Sequence, residues 1–134
     1  MGYVLDTSAL MRLLLDEPGA EEVQRIVEGD EPVALPFMVL MEVQYVLLRR
    51  LPPQRVDQMV TTLRAWPVEI VETDPAWGRQ AALVKSRGGL SLGDAWIAAL
   101  ALQRDATLVH RDPEFDSVPG LRSHRLDPTP TRAS

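Results

Sequence analysis

Short runs of β-branched and aliphatic residues alternate with longer stretches at helical spacing, and this alternation constrains the fold more than any other feature. Tyr3-Val4-Leu5, Pro32–Pro36, Val68–Glu72, Ala106–His110 and, at an edge, Leu121–Leu126 read as strands. Between them the spacing predicts helices over Ser8–Asp16, Glu21–Glu28, Phe37–Arg50, Arg55–Trp66, a stretch opened by Asp74-Pro75 and ended near Gly88-Gly89, and Ser91–Leu102. Strands joined through helices or helix pairs do not form hairpins. They imply an α/β fold: one central parallel β-sheet of four to five strands, flanked by helices on both faces. Ligands of such sheets gather beyond the carboxyl ends of the strands.

At 134 residues the chain fits one domain, and a chain of this size buries roughly two-thirds of its unfolded surface. Residues 1–126 are expected to form that domain, with Asp127–Ser134, rich in Pro and Thr, as a flexible tail. There is no cysteine and there are two histidines, His110 and His124. Disulfides, thiolate chemistry and histidine-built zinc sites are therefore set aside. A metal here would be a hard cation held by oxygen. No run of about 18 apolar residues could span a bilayer and no signal segment opens the chain, so the expectation is a cytoplasmic protein with no membrane contact. The net charge of −5 argues against broad attraction to nucleic acid. Two divalent cations would leave about −1, so nucleic-acid binding would depend on local basic groups and metal.

Four acids stand where such a metal could be held. Asp6 ends the first strand, and either caps the next helix or anchors a site; Thr7 and Ser8 could cap in its place. Glu42 lies mid-helix in an apolar run (Met38, Val39, Leu40, Met41, Val43, Tyr45, Val46), where an ionised carboxylate is costly unless paired or on a wet strip beside Gln44. A helix so apolar is expected to be buried, in part against another chain. Asp94 fits the capping pattern Ser91-x-x-Asp94, yet opens a helix of Ala, Leu, Ile and Trp. Asp112 precedes Pro113, ordinary turn chemistry by itself. Glu114 and Asp116 have weaker claims, as loop acids on a solvated surface. Crowded carboxylates repel, so one stays protonated unless a cation compensates. Mg²⁺ or Mn²⁺ would remove that penalty, orient a water and lower its pKa, and stabilise charge on a phosphate.

Val4-Leu5-Asp6-Thr7-Ser8, Met41-Glu42-Val43, Ser91-Leu92-Gly93-Asp94-Ala95 and Leu108–Phe115 resemble, in order and spacing, the four acidic motifs of PIN-domain ribonucleases. The resemblance runs from Gly2 to about Leu126. The short length is similar to that of the VapC toxins of toxin–antitoxin pairs. The first and third motifs are the most specific. The resemblance implies a Mg²⁺- or Mn²⁺-dependent endoribonuclease with one or two ions, leaving 5′-phosphate and 3′-hydroxyl ends. It assigns the metal-holding and catalytic quartet to Asp6, Glu42, Asp94 and Asp112, with Asp6 and Asp94 nearest the first metal. Thr7 and Ser8 would support the cluster, and Asp116 would assist. It further implies a homodimer, an RNA substrate and a cognate antitoxin that blocks the acidic cleft. One departure stands out: His110 occupies a position where family members often carry Thr or Ser. It is either a hydrogen-bonded structural histidine, the preferred reading, or a group that contacts phosphate or alters the weaker metal position.

Lys85, Arg87 and Arg111 flank the third and fourth motifs and are candidate phosphate contacts, each weighed against ordinary surface charge. Trp66, Trp77 and Trp96 read as core or interface before base-stacking groups. Two rivals remain. A phosphatase with Asp6 as nucleophile would want a second Asp two residues on, where Ser8 stands. A catalytically silent module that binds RNA or protein is the other.

Overall fold

The computed structural model describes residues 1–127. The expectation for the tail therefore concerns residues 128–134, outside the described part. Five strands, β1 (Tyr3–Leu5), β2 (Val33–Pro36), β3 (Glu69–Val71), β4 (Thr107–His110) and β5 (Arg122–Arg125), form one sheet in the order β3-β2-β1-β4-β5. Every neighbouring pair is parallel. Six helices connect them: α1 (Thr7–Leu14), α2 (Ala20–Glu28), α3 (Phe37–Leu48), α4 (Pro53–Arg64), α5 (Pro75–Ser86) and α6 (Leu92–Arg104). Among the described residues no helix is long and apolar enough to cross a membrane.

The strand sequences explain the arrangement. All four residues of β2 are buried, the run expected of a central parallel strand covered on both faces. β5, Arg-Ser-His-Arg, is an edge, and its exposed arginines discourage pairing with another chain. The strand order places the topological switch between β1 and β4: the chain builds outward on one side through β2 and β3, then returns to add β4 and β5 on the other. A crevice opens beyond the carboxyl ends of the two strands flanking such a point.

Several helix ends differ from the periodicity. The helix expected from Arg55 starts earlier: Pro53 is the first residue of α4, where a missing N–H costs nothing. The loop after β4 is a 3₁₀ helix over Pro113–Ser117, with Asp112 as its N-cap. α3 is not fully buried either. Met41, Tyr45 and Leu48 are 65%, 54% and 49% exposed, because they lie off the Val39/Leu40/Val43/Leu47 stripe that is buried in the core.

Aromatic packing fixes α5 and α6 against the sheet. Trp77, fully buried, meets Trp96 edge-on with ring centres 4.9 Å apart and Phe37 at 5.9 Å. Its indole N–H donates to the Trp96 carbonyl at 2.8 Å. Ala95, Ala98, Ala99 and Ala101 are buried on α6, and their small side chains let that helix pack closely. Trp77 and Phe115 thus sit in the core, with Trp66 and Trp96 partly buried against it.

Candidate active site

Each acid reaches the carboxyl edge of the sheet for a local reason. Asp6 follows β1 directly and is tied in on both sides: its N–H donates to the Val109 carbonyl at 3.2 Å, and its own carbonyl accepts from Leu10 at 3.1 Å. Asp112 lies two residues beyond β4. Asp94 arrives by a different route. α6 precedes a parallel strand and must run against the strand direction, so its first turn, held by Ser91, stands at the carboxyl edge. Glu42 lies on α3, which leaves the same edge straight from β2.

Asp6 is the cap of α1 after all. Its Oδ1 accepts from the Ala9 N–H at 2.9 Å and from the Ser8 hydroxyl at 2.7 Å. Thr7 and Ser8, read as alternative caps, are already inside the helix, and Ser8 serves Asp6 instead. The Thr7 hydroxyl is buried with no hydrogen-bond partner among the described residues. Asp6 is 6% exposed. Burial pushes its pKa up to about 6, and the charges of Asp94 and Glu42 push the same way against the bonds from Ser8 and Ala9. Asp94, half-buried, is raised by burial first, then by Asp112, Glu42 and Glu114, while Ser91 pulls it down. The two central acids thus resist ionisation in the metal-free protein.

A cavity of about 620 Å³ opens onto this edge, and Asp6, Glu42, Asp94 and Asp112 all line it. Thr7, Ser8 and Arg111 do so as well. Carboxylate oxygens of Asp94, Asp112 and Glu114 lie within 4.8 Å of one another. Glu114 is brought in by the 3₁₀ turn, whose first N–H bond runs from Glu114 to Asp112 Oδ1 at 2.9 Å. The turn forms because Asp112-Pro113 is a cap followed by a residue that needs no N–H partner. That pair was the available signal for Glu114, since a turn folds the second residue after a cap back beside it. Asp116 is not brought to the cleft. It lies near Arg125, whose guanidinium donates to it at 3.4 Å. Glu42 is exposed, on the wet strip that was the alternative to a buried, paired carboxylate, because it stands where α3 borders the open cavity.

Of the candidate phosphate contacts, Lys85 and Arg87 do not line the cavity; Lys85 donates to the Leu90 carbonyl at 2.9 Å. Arg12 and Arg50, which the motifs do not mark, do line it. Arg12 is 3% exposed and donates to the Pro18 carbonyl at 2.7 Å and to the Asp127 carbonyl. His110 is fully buried, outside the cavity lining, with its ring 4.8 Å from Phe115. Its ring nitrogens make no well-aligned hydrogen bond among the described residues, and the Asp112 backbone interacts with the ring. Burial lowers its pKa against the opposing pull of Asp116 and Asp112. The imidazole is therefore neutral at pH 7 and fills space under the 3₁₀ turn.

Acids from four separate segments meeting at a topological switch define the class: a parallel α/β domain with an acidic cleft at its carboxyl edge. The sequence matches the PIN domain family over residues 3–121, and the chain belongs to that family. Among curated protein sequences, none matches. Solved structures are similar over nearly the whole chain. VapBC2 of Rickettsia felis, bound to a DNA fragment from its promoter, superposes with a TM-score of 0.81 at 19% identity, covering 95% of this chain and 100% of that one. DNA-bound VapBC of Salmonella typhimurium gives 0.78 at 21%, covering 93% and 98%. VapC20 of Mycobacterium tuberculosis, a sarcin-ricin loop cleaving toxin, gives 0.68 at 17%, covering 90% and 99%. At such identities the likeness concerns the fold.

Proposed function

We propose that this protein is a divalent-metal-dependent endoribonuclease and the toxin of a toxin–antitoxin pair. The observation that carries the reading is the gathering of Asp6, Glu42, Asp94 and Asp112 around one cavity, with Glu114 completing a tight carboxylate group. The donor set fits Mg²⁺ or Mn²⁺: oxygen ligands alone, close enough to share an ion, and two acids, Asp6 and Asp94, raised above their ordinary pKa by burial first and by neighbouring acids after it. When bound, the ion supplies Lewis acidity toward a phosphate oxygen and a water of lowered pKa.

The chain's own residues have separable tasks. Asp94, Asp112 and Glu114 would hold the ion, and Asp6 would offer its remaining oxygen while Ser8 and Ala9 fix the other. Glu42 closes the acidic wall. Arg111, beside Asp112, contacts phosphate. Asp116 is left out of this assignment, since it faces Arg125. The similarity to VapBC complexes supports a protein antitoxin, and similarity to a sarcin-ricin loop cleaving toxin supports an RNA substrate. A homodimer in the cytoplasm belongs to the same reading, and the exposed Met41, Tyr45 and Leu48 offer a surface for the second copy.

The test is RNA cleavage by wild type, Asp6→Asn and Asp94→Asn, with Mg²⁺ or Mn²⁺ and with chelator. Cleavage is expected for wild type with metal, each substitution lowering the rate about ten- to a hundredfold and chelator abolishing it. Equal cutting by the variants, or in chelator, would sink the mechanism. No saturable divalent binding by calorimetry would favour the silent module.

A further inference from the structure

The turn that carries Asp112 and Glu114 has little of its own to hold it in place. Pro113–Ser117 closes as a 3₁₀ helix, whose hydrogen bonds have poorer geometry than those of an α-helix. Its bonds are local. The Glu114 N–H donates to Asp112 Oδ1 at 2.9 Å, the Phe115 N–H to the Asp112 carbonyl at 3.3 Å, and the Ser117 hydroxyl to the Glu114 carbonyl at 2.8 Å. These bonds shape the turn without fixing its height above the sheet. On its outer side Arg125 donates to Asp116 at 3.4 Å across exposed surface, a weak tie. On its inner side Phe115 is buried, and its ring meets that of His110 with centres 4.8 Å apart, inclined by 60°.

His110 has the anchorage that the turn lacks. It is the last residue of β4, it pairs with Arg125 of β5, and its carbonyl accepts from the Leu126 N–H at 2.6 Å. Its backbone therefore belongs to the sheet, while its fully buried side chain reaches the turn. Asp116 and Asp112 of the turn and Arg125 of β5 all act on the ring, and so does the Asp112 backbone. An imidazole is a costly way to fill such a place. Both nitrogens are enclosed without a well-aligned hydrogen bond among the described residues, a penalty that a leucine of similar size would not incur. The main-chain group that interacts with the ring belongs to Asp112, whose carboxylate lies within 4.8 Å of those of Asp94 and Glu114. Hydrogen bonds around reactive centres are often poorly aligned in the free protein and tighten when a complex forms.

We propose that His110 is a positioning residue for the divalent ion: from beneath the turn its imidazole holds the Asp112 main chain and the Phe115 ring, and so sets the reach of Asp112 and Glu114 toward Asp94. The inference rests on the metal-centre reading and deepens it. His110 lies outside the cavity lining, so it acts through the turn and not on the ion or a substrate. Groups that orient metal-holding side chains in this way change metal affinity by about ten- to a hundredfold when removed. Asp6 and Glu42 reach the cavity from other elements, so the effect falls on the wall formed by the turn.

The test is calorimetric titration of the full-length protein with Mg²⁺ and with Mn²⁺, alongside melting temperatures in chelator. His110→Leu keeps the volume and removes both nitrogens. It is expected to weaken divalent binding about ten- to a hundredfold, with a melting temperature in chelator no lower than wild type's. His110→Asn and His110→Gln place an amide near the Nδ1 and Nε2 positions respectively. The one whose amide reaches the Asp112 main chain should bind metal within about threefold of wild type. Wild-type affinity in His110→Leu would overturn the proposal, whatever happens to its melting temperature. Equal weakening in all three variants would overturn it too, because a ring that only fills space predicts that result. Should the leucine variant fail to fold, the amides decide: one near wild type supports the proposal, and both weakened overturns it. No saturable divalent binding by wild type would overturn the metal-centre reading together with this one.

Discussion

Asp6 serves two demands with one carboxylate. As a cap it satisfies the Ala9 N–H, and the same oxygen takes the Ser8 hydroxyl. A neutral amide would meet both requirements, since Asn is as good an N-cap as Asp. What Asn lacks is charge, and charge is what the buried position penalises. With a pKa near 6 against an ordinary 3.8, the folded state binds more protons than the unfolded state between those values. Stability of the metal-free protein therefore falls as pH rises through that window and stays lower above it. The cost is on the order of 2–3 kcal/mol. Asp6→Asn is thus expected to raise the metal-free melting temperature at pH 7.5 while leaving it nearly unchanged at pH 4. A lower melting temperature for the variant at both pH values, measured by calorimetry in chelator, would refute this account.

At the scale of elements, α6 is the piece that joins core to site. Its first turn holds Asp94 at the sheet edge, and its middle is clamped by Trp77 from α5 through ring packing and the indole bond to the Trp96 carbonyl. Trp77→Ala should cost about 3–5 kcal/mol, because a fully buried indole leaves a cavity that the rigid alanine face of α6 cannot collapse into. Urea denaturation measures it; a loss below about 1 kcal/mol would mean that α5 does not secure α6. The same helix shows how far local pattern reaches. Ser91, Asp94 and the apolar run after them specify a capped, buried helix without reference to the rest of the chain. The 3₁₀ turn was less visible, since five residues give no periodicity to read, and with it went the placing of Glu114 beside Asp94.

For the molecule as a whole, the carboxylates come from β1's end, α3, α6 and the turn after β4, so any ion they share also braces those elements against one another. Divalent metal is expected to raise the melting temperature by several degrees at saturation, since a ligand at one hundred times its dissociation constant adds about 2.7 kcal/mol. The gain should shrink below pH 6, where protons compete for Asp6, and vanish in Asp94→Asn. Differential scanning fluorimetry with Mg²⁺, Mn²⁺ and chelator reads it directly. An equal shift in Asp94→Asn would place the ion elsewhere. The edges of the sheet are guarded by charge: the Arg122 and Arg125 of β5 on one side, and on the other Glu69 of β3, which pairs with Arg104 from α6. The apolar surface left open lies on α3, away from those edges.

The amino-acid sequence by itself determined the alternation of strands and helices, and hence a parallel sheet with a carboxyl edge where Asp6 and Asp112 had to emerge. Those are local and topological consequences: period, capping chemistry, and the impossibility of joining parallel strands without a crossover. Exposure was decided only by the tertiary structure. Glu42 and Met41 sit in a run that reads as buried, yet both are exposed, because burial depends on which neighbours the other elements supply. His110 was read as a histidine at a strand end, and its full burial against Phe115 came only from the packing. Asp116 and Glu114 are two residues apart with the same chemistry. A single turn of 3₁₀ helix sends one to Arg125 and the other to the carboxylates, a distinction made by direction in space, which no spacing along the chain records.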